Sequence, residues 1–310
     1  MTENNNNPSI IFVLGMHRSG TSLVAQMVAK WGAYMGEDLM AANEYNQDGY
    51  WEYNPLMNLH DKMLAYTGNT WYAPPICIDV PHLIDVFGNG ARALIDEMDE
   101  CQSSWCWKDP RMVLFLPFWQ EILKDRNLLF IISYRNPLSV ADSLQTRDNI
   151  PTITATALWE LYNIKVFETL KDTDACFYVE YEKLIDSSDE QTKQLFDFLN
   201  SNLHVQKGRE VFLEMRTAIK SGLKHSVPPN HISIDKQQDE LYLLLKHGKI
   251  PEIIQSQLQT RLKYALEITG LYHKGNYYKE LNLQLQLYYK PAGGIYSETN
   301  SLIKKYNPNS

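Results

Sequence analysis

Three cations stand at or just beyond the ends of apolar runs: Arg18 after Ile10–Leu14, Lys108 after Trp105-Cys106-Trp107, and Arg135 after Leu128–Tyr134. Such β-branched and apolar runs read as buried parallel strands. In open α/β sheets the ligand crevice lies outside the carboxyl ends of the strands, so these cations face a common place and call for an anion. The first of them is the most telling. Gly15-Met16-His17-Arg18-Ser19-Gly20-Thr21-Ser22 joins its strand to Leu23, Val24, Met27, Val28 and Trp31, which recur at helical spacing and stop at Gly32. Strand, glycine-bounded turn and helix start together aim backbone N–H groups and a helix dipole at an anion. A nucleotide triphosphatase needs Gly-x-x-x-x-Gly-Lys-Ser/Thr, with the Lys on the outer phosphates. Here Thr21 has the Lys position and the cation, Arg18, lies inside the loop. That arrangement suits one phosphate with a charge beside its outer oxygens, and suits a metal-bridged polyphosphate poorly.

The third cation opens a second anion site. Arg135-Asn136-Pro137 follows its strand and leads into a helical segment with Val140, Ala141, Ser143 and Leu144. Pro137 suits a first helical turn, where no N–H partner is needed. Arg135 offers a planar fork to a phosphate, and the Ser143 hydroxyl, eight residues on, can complete the cradle.

These two motifs, in this order, resemble those of the sulfotransferases that use 3′-phosphoadenosine 5′-phosphosulfate (PAPS), in the Arg-Ser-Gly-Thr form of Golgi-type and many bacterial members. The resemblance covers about residues 9–230 and implies a P-loop-like three-layer α/β fold, a central parallel sheet flanked by helices. It implies that His17, Arg18, Ser19, Gly20, Thr21 and Ser22 hold the 5′-phosphosulfate, and that Arg135 and Ser143 hold the 3′-phosphate. Tyr181, in Tyr181-Glu182-Lys183-Leu184 after the strand Ala175–Glu180, would lie against the adenine. Leu23 stands where cytosolic members place an adenine-stacking Trp. Their Arg-Lys-Gly clamp is also missing, with Lys224 or His225 as substitutes.

The same resemblance assigns the chemistry. Arg18 and Lys108 would meet negative charge on the leaving phosphate oxygen, as sulfuryl transfer requires. A general base must take the acceptor's proton. Cytosolic members use a His two residues after the strand-end Lys, but that position here is Pro110. Members with the Arg-type loop use a Glu after the first helix, and Glu52 in Gly49-Tyr50-Trp51-Glu52 matches it best. The neighbouring aromatics are expected to desolvate this carboxyl. Glu44, His60 and Asp109 are the reserves. The acceptor is expected to be a hydroxyl of a small molecule, lipid or glycan, with PAP released and no metal required. Tyr45, Tyr50, Trp51, Tyr53, Trp71 and Tyr72 suit stacking on sugar faces or walling an apolar alcohol.

Around these motifs the pattern gives helices from Asn54, as cap, to about Tyr66, from Asn89 to Glu100, at 116–125, 137–147 and 153–171, and from Glu190 to Leu199. Residues 37–53 and 71–75 read as loops. Residues 1–9 form a polar tail, 10–230 the sulfotransferase domain, and 231–310 a helical C-terminal extension with a loose tail after Pro291. The chain has 310 residues, 44% of them apolar, enough for a full core. A net charge of -8 argues against a nucleic-acid partner. No apolar run nears the ~20 residues of a spanning helix, and four Cys without C-x-x-C spacing read as reduced thiols. A cytoplasmic location is expected. Two rival functions share the first loop: a P-loop kinase or other phosphotransferase, which would need the missing Lys, and a nucleotide-binding protein without catalysis.

Overall fold

The computed structural model describes residues 8–220 apart from 45, 76, 102 and 172–173, together with 236–248, 262–270 and 273–274. Lys224, His225, Tyr45 and the tail after Pro291 lie outside the described residues. Four parallel strands form one sheet in the order β2-β1-β3-β4: β1 is Ile10–Leu14, β2 Trp105–Lys108, β3 Leu128–Tyr134 and β4 Ala175–Glu180. Central β1 pairs Ile10 with both Trp105 and Leu128, and all of its residues are buried. That explains its unbroken apolar run, since both of its faces are covered.

The two faces divide with the period of a strand. Ile10, Phe12, Leu14, Trp105, Trp107, Phe130 and Ile132 enter one core. Helices α2 (Asn54–Tyr66), α3 (Val80–Asp99) and α4 (Leu116–Ile122) cover it, with α6 (Thr152–Thr169) and α10 (Lys236–His247). Ile11, Val13, Cys106, Leu129 and Ile131 enter the other, under α1 (Thr21–Trp31), α8 (Ser188–Asn202) and α9 (Arg209–Arg216). The result is the three-layer α/β fold with a parallel sheet. Helix α5 (Pro137–Asp148) follows β3, and the short α7 (Tyr181–Asp186) follows β4. Leu241, Tyr242 and Leu245 of α10 belong to the first core, as do Leu262 and Ala265 of the helical residues 262–270. Among the described residues no helix is long and apolar enough to cross a membrane.

Several boundaries differ from the sequence reading for local reasons. Helix α3 begins at Val80 rather than Asn89, because the Asp79 side chain accepts from the His82 N–H and Pro81 occupies the first turn. Gly88 and Gly90 inside it had masked the earlier start. We expect Asp79→Ala to lower stability by ~1 kcal/mol, read as a shifted urea midpoint with an unchanged slope; an unmoved midpoint would show the cap to be idle. The cap of α2 is Tyr53, while Asn54 lies inside the helix and donates to Asp38. Pro110–Phe115 forms a tight 3-10 turn before α4, and α6 and α8 run Thr152–Thr169 and Ser188–Asn202.

Candidate active site

The loop after β1 is lashed to the end of β3. Gly15 has φ 144°, and a Cβ there would meet the Ser133 carbonyl oxygen at 2.2 Å. The Ser133 hydroxyl in turn donates to the Ser19 carbonyl at 2.7 Å. Arg18 takes a left-handed φ of 68°, uncommon for a residue with a side chain. Gly20 begins α1 at φ 89°, and no side chain caps the helix start among the described residues. The first N–H groups of α1 therefore have no side-chain cap among the described residues. A Cβ on Gly20 would sit 2.3 Å from the Tyr181 ring, so only glycine lets α7 close on this loop.

A cleft of about 420 Å³ opens here. His17, Arg18, Gly20, Thr21 and Ser22 line it from the loop, and Glu52, Lys108, Arg135 and Tyr181 from four other segments. Ser19 and Ser143 do not line it. Ser19 is buried beneath the loop, and Ser143 meets the site through Arg18, whose Nε donates to its Oγ at 2.7 Å. Arg135 lies with its guanidinium carbon 4.5 Å from the centre of the Tyr181 ring and donates to the Arg18 carbonyl at 3.3 Å. Its Nε is buried and has no hydrogen-bond partner among the described residues. Asn136 accepts from the N–H groups of Leu138 and Ser139, capping α5 and fixing the turn of Ser143.

The catalytic candidates are joined. Lys108 Nζ donates to Glu52 Oε1 at 2.6 Å, to the Tyr50 carbonyl at 3.1 Å and to Ser22 Oγ at 3.3 Å. Glu52 Oε2 lies 3.6 Å from Arg111, beyond hydrogen-bonding distance. Glu52 is 5% exposed and lies against two cations, Lys108 and Arg111. Trp51, at φ 59°, donates its indole N–H to the Asp48 carbonyl at 3.1 Å.

The reserve bases fare differently. Glu44 lines the cleft. His60 is buried, with Nε2 accepting from the Trp119 indole at 2.8 Å and Nδ1 2.7 Å from Asp109. Indole nitrogen only donates, so Nδ1 carries the imidazole proton and no lone pair remains. Asp109 binds His60 with one oxygen and Arg111 with the other. Arg111 and His60 together hold its carboxyl well below the usual range, against the burial that opposes them. This pair braces the end of β2.

Arg147 was missed by the sequence reading. It lines the cleft one helical turn beyond Ser143, with its guanidinium 5.9 Å from the Trp71 ring centre and a 2.7 Å ion pair to Asp148. The four-residue spacing from Ser143 was the available signal. Burial, followed by the Arg147 and Arg111 charges, pushes the His17 pKa well down. His17 therefore stays neutral, packed 4.4 Å from Trp71 with Nε2 unpartnered among the described residues. Burial and then Arg147 also lower the Arg18 pKa, although a guanidinium remains charged.

Three guanidinium groups, Arg18, Arg135 and Arg147, thus line one cleft with the buried carboxylate Glu52, beside a helix start without a side-chain cap. Residues 8–204 match the sulfotransferase family, and the chain belongs to that family and is by that membership a transferase. Among solved structures it is similar to the sulfotransferase domain from the curacin biosynthetic pathway, at 17% identity and TM-score 0.47, over 79% of this chain and 99% of that one. The sulfotransferase domain of the Synechococcus PCC 7002 olefin synthase shows 17% identity and TM-score 0.44, over 81% and 99%. A sulfotransferase from Mycobacterium avium shows 12% and 0.42, over 79% and 77%. No curated protein matches the chain.

Proposed function

We propose that the protein moves a sulfuryl group from PAPS to a hydroxyl of a small-molecule, lipid or carbohydrate acceptor and releases PAP. One observation carries the reading: Arg18, Lys108 and Arg135, from three separate strand ends, line one cleft with the buried carboxylate Glu52. The Arg147 and Arg135 charges both disfavour the charge on Arg18, a repulsion that an anion relieves. The residues fit a donor with two phosphate positions. The open N–H groups of α1, with Thr21 and Ser22, suit the 5′ end. Arg135, 7% exposed and with an Nε that has no hydrogen-bond partner among the described residues, suits the 3′-phosphate. Ser143 accepts from Arg18, which leaves its own proton for a phosphate oxygen. Tyr181, held between Gly20 and Arg135, offers its ring to the adenine.

Bound PAPS supplies a sulfuryl group already activated by its phosphate leaving group. Glu52 takes the acceptor's proton on Oε2, the oxygen not engaged by Lys108. Lys108 and Arg18 meet the charge that grows on the leaving oxygen. Fixed cations do here what a metal does for a polyphosphate.

The test compares PAP with AMP, in EDTA, by thermal shift and calorimetry. PAP is expected to stabilise the protein more, because AMP lacks the phosphate that Arg135 and Ser143 would hold. Arg135→Ala should erase most of the difference, since a charge-assisted hydrogen bond is worth about 1.5–3 kcal/mol. Equal stabilisation by PAP and AMP in the wild type would remove the donor assignment.

A further inference from the structure

Helix α10 reaches back from the far end of the chain to the Arg135 loop. The Tyr242 hydroxyl is 2.9 Å from Glu180 Oε1 and 3.3 Å from Glu182 Oε2. Glu182 spends its other oxygen on the Arg135 loop, accepting from the Asn136 N–H at 3.0 Å. That same oxygen lies 3.9 Å from Arg135 Nε, close enough to compensate charge and too far for a hydrogen bond. Lys246, one helical turn beyond Tyr242, pairs with Glu180 at 2.8 Å and lies 4.5 Å over the Tyr242 ring. Tyr242 also packs edge-on to Tyr134, the residue before Arg135, and near Trp159. Trp159 donates its indole N–H to the Arg135 carbonyl at 2.9 Å. The strand end that presents Arg135 is thus braced from both sides.

We propose that Tyr242 is a positioning residue for nucleotide recognition: it holds Glu182 short of Arg135, so that the guanidinium is left for the 3′-phosphate. The inference rests on the PAPS reading above. Its physical basis is competition. A carboxylate beside a buried guanidinium forms a full charge-assisted pair unless something restrains it. Here the restraint is the single Tyr242 hydroxyl proton, shared between Glu180 Oε1 at 2.9 Å and Glu182 Oε2 at 3.3 Å, together with a backbone N–H on Glu182 Oε1. Burial and the two carboxylates raise the Tyr242 pKa, which keeps the hydroxyl a donor throughout the working range. Removing it frees Glu182 to close on Arg135 and exclude the phosphate.

The experiment measures Kd for PAP and for AMP by calorimetry on the full chain, in the wild type, Tyr242→Phe, Glu182→Gln and the double variant. Tyr242→Phe should weaken PAP about three- to tenfold, the size of one displaced polar contact, and leave AMP unchanged. Glu182→Gln removes the competing charge, so the double variant should recover PAP affinity to near the wild-type value. Such rescue is not expected of a residue that merely supports the fold. Unchanged PAP affinity in Tyr242→Phe overturns the inference, as does an equal loss for AMP or a loss that persists in the double variant. A wild type that does not prefer PAP to AMP instead overturns the donor assignment on which it rests.

Discussion

Turnover of the Glu52→Gln variant on an aliphatic alcohol should fall by ~10²–10⁴-fold, the usual contribution of a positioned general base. Gln keeps the size of the side chain and an oxygen for Lys108, but it cannot take a proton. The pocket should survive the change, because Lys108 retains the Tyr50 carbonyl and Ser22 Oγ as partners. PAP binding is therefore expected to stay within a few-fold of the wild type. An acidic phenol ionises partly without help, so its loss should be smaller than that of the alcohol. The measurement is kcat for both acceptors beside the Kd for PAP. Near-normal turnover on the alcohol would move the base to Glu44, the reserve carboxylate on the cleft wall. His60 and Asp109 would not inherit the role, since His60 has no open lone pair and Asp109 is committed to His60 and Arg111.

Arg18→Ala should lower kcat by ~10²–10³-fold, the cost of removing one donor to a developing charge. PAP affinity should change by less than tenfold. The reason is that charge on the leaving oxygen appears only in the transition state, so a group that meets it acts on rate more than on ground-state binding. Some binding loss is expected through Ser143, which loses the 2.7 Å bond from Arg18 that orients its hydroxyl. Single-turnover rates and PAP titrations separate the two effects. A variant with normal kcat and a raised KM for PAPS would make Arg18 a binding residue only.

The stretch from Ile10 to Gly32 was fully legible in the sequence. Its strand, loop and helix are set by residues adjacent in the chain: an apolar run, three glycines at positive φ and a helical apolar spacing. The same holds for β3, Arg135 and α5, where Asn136 and Pro137 mark the helix start in place. The parallel sheet followed from such runs separated by helices. The partners of the charged groups were not legible. The Lys108–Glu52 pair spans 56 positions and the Arg18–Ser143 bond 125. Those contacts exist because β1 lies between β2 and β3 in the sheet order, which brings three strand ends to one edge. No local spacing encodes that order.

Burial was equally hidden. His60 and Asp109 were reserve bases behind Glu52, yet the core places the Trp119 indole on one and Arg111 on the other, turning both into supports. The two cations against Glu52, Lys108 and Arg111, come from beyond position 100, and no spacing near Glu52 announced them. By itself, then, the sequence determined which groups bear charge, which segments present them, and the family of protein they belong to. Tertiary structure alone decided which charges meet, because the energy of a buried charge depends on the partner that shares its low-dielectric surroundings, and that partner comes from a distant part of the chain.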